Sequence, residues 1–469
     1  MSRPSGRPTG AGRATGRAPA PGAGAARRRV TTGIVLATTA AVLVSGCSTA
    51  APPAPSDVTS RPGTVEAATT RPTSTDVDPR AWAGARSRAA TELLRARAAA
   101  ADRGDEAGWL AALGDGATSL RTDQSAVLSR MVAMQVGDLH LVTVREVTEP
   151  VPAPSGTRVE WDVRASFTYR LRGFDTTPRS FDLDLTFQAD PARVQGLSIT
   201  ASSPSGRPQP WDLAGLVVRR SAGSLVLAVG DEARVQEVVR RARTAASRVA
   251  AVWGTSRPAV WVSPASDADA ARLLGRTPDQ LRGVAAATDG PLTPGERAGA
   301  DRIVLVPGAW SSLRPDGRDV VMTHELTHVT VRASTTRAVP IWLSEGFAEL
   351  VAYQPIDLPE ATAVAPALDR VRSSGLPAAL PADADFEPGS GSIAAAYGLS
   401  LLALRTVADR YGTQAVVRLY RAAAGGITEP TERLDDREAA VDDALEATVG
   451  LSRSALVRQW QARIRDLLR

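Results

Sequence analysis

Histidine is scarce in this chain: His140, His324 and His328 are the only three in 469 residues. Two of them stand in His324-Glu325-Leu326-Thr327-His328, four positions apart, with an acid beside the first. On an α-helix that spacing is about one turn, so both imidazoles project from one face. Neutral imidazole is a zinc ligand, and two convergent rings make half of a tetrahedral Zn²⁺ site. Glu325 then sits where it can take a proton from water held on the metal. These residue types at this spacing point to metal-assisted hydrolysis.

A catalytic zinc takes three protein ligands and keeps one position open. His140 lies in another part of the chain, and the single cysteine, Cys47, belongs to the leader segment described below. The residues after His328, VTVRAS, hold neither the glycine nor the third histidine of a metzincin. A carboxylate is therefore required. The segment from Trp342 to Glu349 offers two, Glu345 and Glu349, four apart and so on one helical face.

The string Trp342-Leu343-Ser344-Glu345-Gly346-Phe347-Ala348, following the paired histidines, resembles the gluzincins. These are zinc metallopeptidases of the thermolysin and aminopeptidase N type, with a peptidase MA-like domain. The resemblance implies Glu345 as the third ligand. It implies Glu349 as an acid that holds a ligand histidine, fixing its tautomer and raising its basicity. It further implies that Tyr397, opening a helix over 394–411, donates a hydrogen bond to the tetrahedral oxyanion, and that Ile303 to Val306 is a sheet edge to which substrate backbone adds. On the residues alone, Glu349 reads equally as a solvated helix face and Tyr397 as a core aromatic. No motif for gripping a free N-terminus precedes the metal helix, which favours an endopeptidase. The likeness covers 213–469, with its specific motifs confined to 324–349.

The net charge of +5 belongs to the start of the chain. There is no lysine, and residues 1–46 carry seven arginines and no acid. Taking 7 from 55 leaves 48 basic against 50 acidic residues, so no electrostatic footprint for nucleic acid remains. Within 1–46, Arg27-Arg28-Arg29 precedes an apolar run from Gly33 to Val44, then Val44-Ser45-Gly46-Cys47. That is the order of a secretory signal, too short for a comfortable membrane span. Val-Ser-Gly-Cys is similar to a bacterial lipobox, which implies diacylglyceration of Cys47 and a lipid anchor on the outer face of the cell membrane. Residues 47–79, rich in Ser, Thr, Pro and Ala, read as a disordered tether.

From Arg80 the pattern turns helical through Ala101 and again over 106–113, then strand-like over 139–147, 159–171, 180–188 and 194–200. Alternation is plain in Arg158-Val159-Glu160-Trp161-Asp162-Val163 and in Phe181 to Phe187. Helices followed by a curved antiparallel sheet define an α+β domain over 80–212, similar in order to the NTF2-like (SnoaL-type) cone. Beyond it, over 213–469, come strands at 224–229, 259–262, 283–288 and 302–306 in a small mixed sheet. A helix covers 231–253 and a shorter one 267–274. Asp316 is the expected cap of the HExxH helix. Loops are expected over 357–391, and a helical bundle at the C-terminus. Two functions fit these features. One is a membrane-anchored zinc metallopeptidase acting on a peptide or protein substrate in the cell envelope. The other is a non-catalytic envelope lipoprotein that binds a ligand or partner and keeps zinc for structure.

Overall fold

The computed structural model describes residues 79–469 apart from 153–157, 192–193, 195, 294, 388–392 and 427–432. The expectations for the leader, the tether and Cys47 lie outside the described residues. Among the described residues, no helix is long and apolar enough to cross a membrane.

The chain is α+β, built on two five-stranded sheets. Three helices come first: α1 (Pro79–Arg103), α2 (Glu106–Leu110) and α3 (Thr118–Met134). Asp105 caps α2 by accepting from the Gly108 N–H. The sequence pattern does not announce α3, because its first two turns are polar and only Leu128, Met131 and Met134 are buried. The first sheet holds β1 (Val136–Glu146), β2 (Val151–Pro152), β3 (Val159–Leu171), β4 (Arg179–Ala189) and β5 (Ser198–Ser205). It is antiparallel throughout, in the order β1-β3-β4-β5 with β2 on β3. Along β3, Trp161, Val163, Ala165, Phe167, Tyr169 and Leu171 are all buried, the period of two that one covered face demands. Register shifts put extra residues into β1 and, at Thr200, into β5, and such bulges bend and twist a sheet locally. The last strand runs over 198–205 and not 194–200. Its Pro204 is tolerated because β5 is an edge.

The second sheet holds β6 (Leu216–Ser221), β7 (Ser224–Val229), β8 (Ala259–Ser263), β9 (Ala286–Asp289) and β10 (Arg302–Leu305), in the order β6-β7-β8-β10-β9. β7, β8 and β10 are parallel; β6 and β9 flank them antiparallel. The sheet is mixed, as the spacing suggests. Helix α4 (Glu232–Trp253) is the crossover from β7 to β8, capped by Asp231 and stopped by Gly254 at φ 94°.

Alternation divides the parallel strands between two cores. Val226, Ala228, Trp261, Ile303 and Leu305 face the helical half. Leu225, Leu227, Val260, Val262 and Val304 join the core of the first sheet. The expected boundary near 212 thus falls between the two sheets in the chain, while one apolar core runs across it. Buried polar contacts cross there as well: Arg302 grips Asp175 through two bonds of 2.6 and 2.7 Å, and Arg179 meets Asp289 at 2.7 Å.

Helix α5 (Asp267–Leu274) packs Ala270, Ala271, Leu273 and Leu274 into the core of the first sheet, whereas the helical half contains α6 (Pro307–Ser312), α7 (Pro315–Arg332), α8 (Ile341–Tyr353), α9 (Glu360–Ala363) and α10 (Ala365–Ser374). That half ends with α11 (Ile393–Tyr411), α12 (Thr413–Ala423), α13 (Leu434–Val449) and α14 (Arg453–Leu467). Three expectations need correction. Helix α7 starts one residue before Asp316, with Pro315 at its first position, where the missing N–H costs nothing. Residues 357–391 are not plain loops: they include α9, α10 and a 3₁₀ turn over Asp383–Phe386. β10 is not an edge, since β8 and β9 pair with it on either side; the edge on this side is β9.

Candidate metal centre

Helix α7 carries His324, Glu325 and His328, and α8 brings Glu345 and Glu349 against it. From Val320 to Val331 every residue of α7 is buried, so this helix runs through the core instead of along its surface. Gly346 explains how a third helix gets close. A Cβ there would stand 2.7 Å from the Ser400 carbonyl oxygen, so only glycine lets α11 cross α8 at this level. That crossing places Tyr397 beside the histidines, its ring centroid 5.9 Å from that of His324.

Three ligand atoms converge. His324 Nε2 and His328 Nε2 are 3.0 Å apart, and Glu345 Oε2 lies 3.2 Å from the first and 3.4 Å from the second. Bonds of about 2.0–2.1 Å in a tetrahedral site put ligand atoms roughly 3.3 Å from one another. The buried His324, His328 and Glu345 group could therefore hold a metal ion. Among the described residues no fourth His, Cys, Asp or Glu joins it. The Glu345 carboxylate is fully buried, and its neighbours are the two imidazoles and the Tyr397 hydroxyl.

The surrounding groups are arranged in the same sense. On the far side of the His324 ring, Nδ1 stands 3.1 Å from Glu349 Oε1. A carboxylate there keeps the proton on Nδ1 and frees the Nε2 lone pair. Burial opposes a charge on His324, but Glu345 and Glu349 outweigh it and push its pKa up to about 10. Burial likewise raises Glu345, yet His328 and His324 more than offset this and bring it down to about 2.

Glu325 is fully buried, and its two oxygens differ. Oε2 accepts from the Thr288 hydroxyl at 2.7 Å, whereas Oε1 has no partner. Tyr397 is held as a phenol: burial, then the charges of Glu345, Glu325 and Glu349, raise its pKa well above the ordinary value. Phe386 packs edge-on against that ring with centroids 5.6 Å apart.

The structure thus brings together His324, Glu325, His328, Glu345, Glu349 and Tyr397. His140 stays apart, exposed on β1. Sequence reasoning missed Thr288. It lies on the edge strand β9, 37 positions before Glu325, and nothing in its local pattern marks it as more than a strand residue.

No protein-family model matches the chain, and a search of curated proteins returns no match.

Proposed function

We propose that this protein is a zinc-dependent hydrolase of the gluzincin type. More particularly, we read it as a metallopeptidase held to the outer face of the cell membrane by lipidated Cys47, acting on peptides or proteins of the envelope. The observation that carries this reading is the pairing of a three-ligand group with Glu325, next in sequence to His324, whose Oε1 is buried and unpartnered. A purely structural site has no use for that acid.

Zinc bound by His324, His328 and Glu345 would supply a Lewis acid that acidifies water and polarises a substrate carbonyl. The remaining work falls to the chain itself. Glu325 Oε1 takes the proton of the attacking water and returns it to the leaving amine, while Thr288 fixes the other oxygen. Tyr397, kept protonated, donates to the oxyanion of the tetrahedral intermediate. The substrate backbone adds to the free side of β9, whose Thr288 already touches the general base.

A second reading has one observation in its favour: His324, Glu325, His328, Glu345 and Tyr397 are all at most 3% exposed. A sealed centre suits an envelope lipoprotein that keeps zinc for structure and works by binding. The two separate in one experiment. Metal content and peptide-library digestion are measured for the wild type, Glu325→Gln and His324→Ala. The catalytic reading expects one zinc and cleavage in the wild type, zinc without cleavage in Glu325→Gln, and loss of zinc in His324→Ala. Cleavage by Glu325→Gln, stoichiometric metal in His324→Ala, or iron in place of zinc would overturn it.

A further inference from the structure

Successive residues of β9 serve opposite sides of the second sheet, because side chains alternate along a strand. Thr288 stands in register with Ile303 of β10, on the side of the helical half, and donates to Glu325. Asp289, the last residue of the strand, stands in register with Arg302 and turns toward the first sheet. Arg302 is taken up by Asp175, so the Asp289 charge falls to two other arginines. Arg179 Nη2, on β4, donates to Asp289 Oδ2 at 2.7 Å, and Arg207 Nη2, just past β5, lies 2.9 Å from the same oxygen.

Arg179 does more than balance a charge. Its Nη1 donates to the Ala300 carbonyl at 2.7 Å and to the Asp289 carbonyl at 3.3 Å. Asp289 ends β9 and Ala300 stands two residues before β10, so one guanidinium closes the mouth of the loop over 290–301. From the other side, Arg332 in the last turn of the metal helix α7 meets Asp301 of that loop at 3.1 Å. β9 has four residues and pairs with β10 alone, so its position depends on what grips its end. The Arg179 and Asp289 side chains are mostly buried, and water screens the pair little. Burial opposes a charge on Asp289, but Arg179 and Arg207 outweigh it and hold its pKa below the ordinary carboxylate value.

We propose that Arg179 is a positioning residue of the metal centre: from the first sheet it holds the end of β9, and through Thr288 it sets the rotamer of Glu325. It acts at one remove, from Arg179 to Asp289, across one peptide bond to Thr288, and from Thr288 to Glu325. Loss of the grip frees the strand end, stretches the 2.7 Å bond to Oε2 and lets the carboxylate turn away from the ligand group. The inference rests on the hydrolase reading and gives the first sheet a part in it. The first sheet then supplies a support that the helical half cannot provide for itself.

The test is a double-mutant cycle on the purified, zinc-loaded full chain: Arg179→Met, Thr288→Val and the two together, assayed on a peptide that the wild type cleaves. Arg179→Met is expected to lower turnover ~10-fold with metal content unchanged. In the Thr288→Val background the same substitution should cost less than ~2-fold, because the link it acts through is already gone. A residue that only steadies the fold would cost the same factor in both backgrounds, so equal factors overturn the proposal. Full turnover in Arg179→Met overturns it as well. Asp289→Asn removes the partner charge at constant shape and goes through the same cycle; it decides alone if Arg179→Met does not fold. Amide hydrogen exchange over 286–289 needs no substrate and should quicken in whichever variant is used. A wild type that cleaves nothing sinks the hydrolase reading; exchange then decides the grip, and unchanged rates overturn it.

Discussion

The Thr288 hydroxyl donates to Glu325 Oε2 across 2.7 Å, from the edge strand β9 to the metal helix α7. Two elements 37 positions apart thus fix one oxygen of a buried carboxylate and leave the other free. The bond sets the rotamer of the group that would move the proton. It also ties that group to the strand along which a peptide would lie.

Thr288→Val tests this tie. The shape is kept and the donor removed, leaving Oε2 buried and unpaired at a cost of about 1–3 kcal/mol in stability. Hydrolysis should fall ~10–100-fold with metal content unchanged. Turnover measured beside elemental analysis checks it; full activity would show that Glu325 needs no such anchor.

Glu349→Gln addresses the other side of the site. Glu349 Oε1 is 3.1 Å from His324 Nδ1, and the neutral amide would make the imidazole a weaker donor to the metal. Metal affinity should drop by roughly 10–100-fold, read by competition with a chromophoric chelator. The same affinity in both proteins would reduce Glu349 to a packing residue.

Gly346→Ala should disturb both the fold and the site. Its Cβ would lie 2.7 Å from the Ser400 oxygen, a backbone atom that can yield only if α8 and α11 separate. Overpacking of this kind costs about 1–3 kcal/mol. The expected result is a lower unfolding midpoint in urea, with weakened metal binding because Glu345 is the adjacent residue. An unchanged midpoint would mean that the helices slide apart freely.

Asp212 gives a pH dependence of stability. Burial raises its pKa to about 6 in the folded chain, despite the Gln209 N–H, Arg130 and Arg272, against about 3.9 unfolded. The folded state therefore holds the proton between those values. Stability falls as pH rises through that window, and the full penalty is present above it. Asp212→Asn keeps an acceptor for the Gln209 N–H, so it should stabilise the protein at pH 8 by about 1–2 kcal/mol and not at all at pH 3. Urea unfolding at the two values checks the sign; an equal effect at both would remove the carboxyl as its cause.

Covalent spacing on its own determined much of this molecule. Two histidines four apart must share a helical face, and so must Glu345 and Glu349, whatever the rest of the chain does. Strict alternation from Val159 to Leu171 dictated a strand with one covered face, and Asp231 with Gly254 bounded α4. These are short-range facts, set by backbone geometry within a turn or a pleat. Helix α3 escaped notice because three buried residues in seventeen leave hardly any stripe to read.

Strand order lay beyond such reasoning. Nothing local tells β10 from an edge; only the pairing of β9 on its outer side makes it interior and gives Thr288 its reach to Glu325. The same holds for the apolar core shared across residue 212 and for Arg179, which in sequence is one arginine among many. What a side chain touches across tens of residues depends on which surfaces are buried together, and tertiary packing decides that.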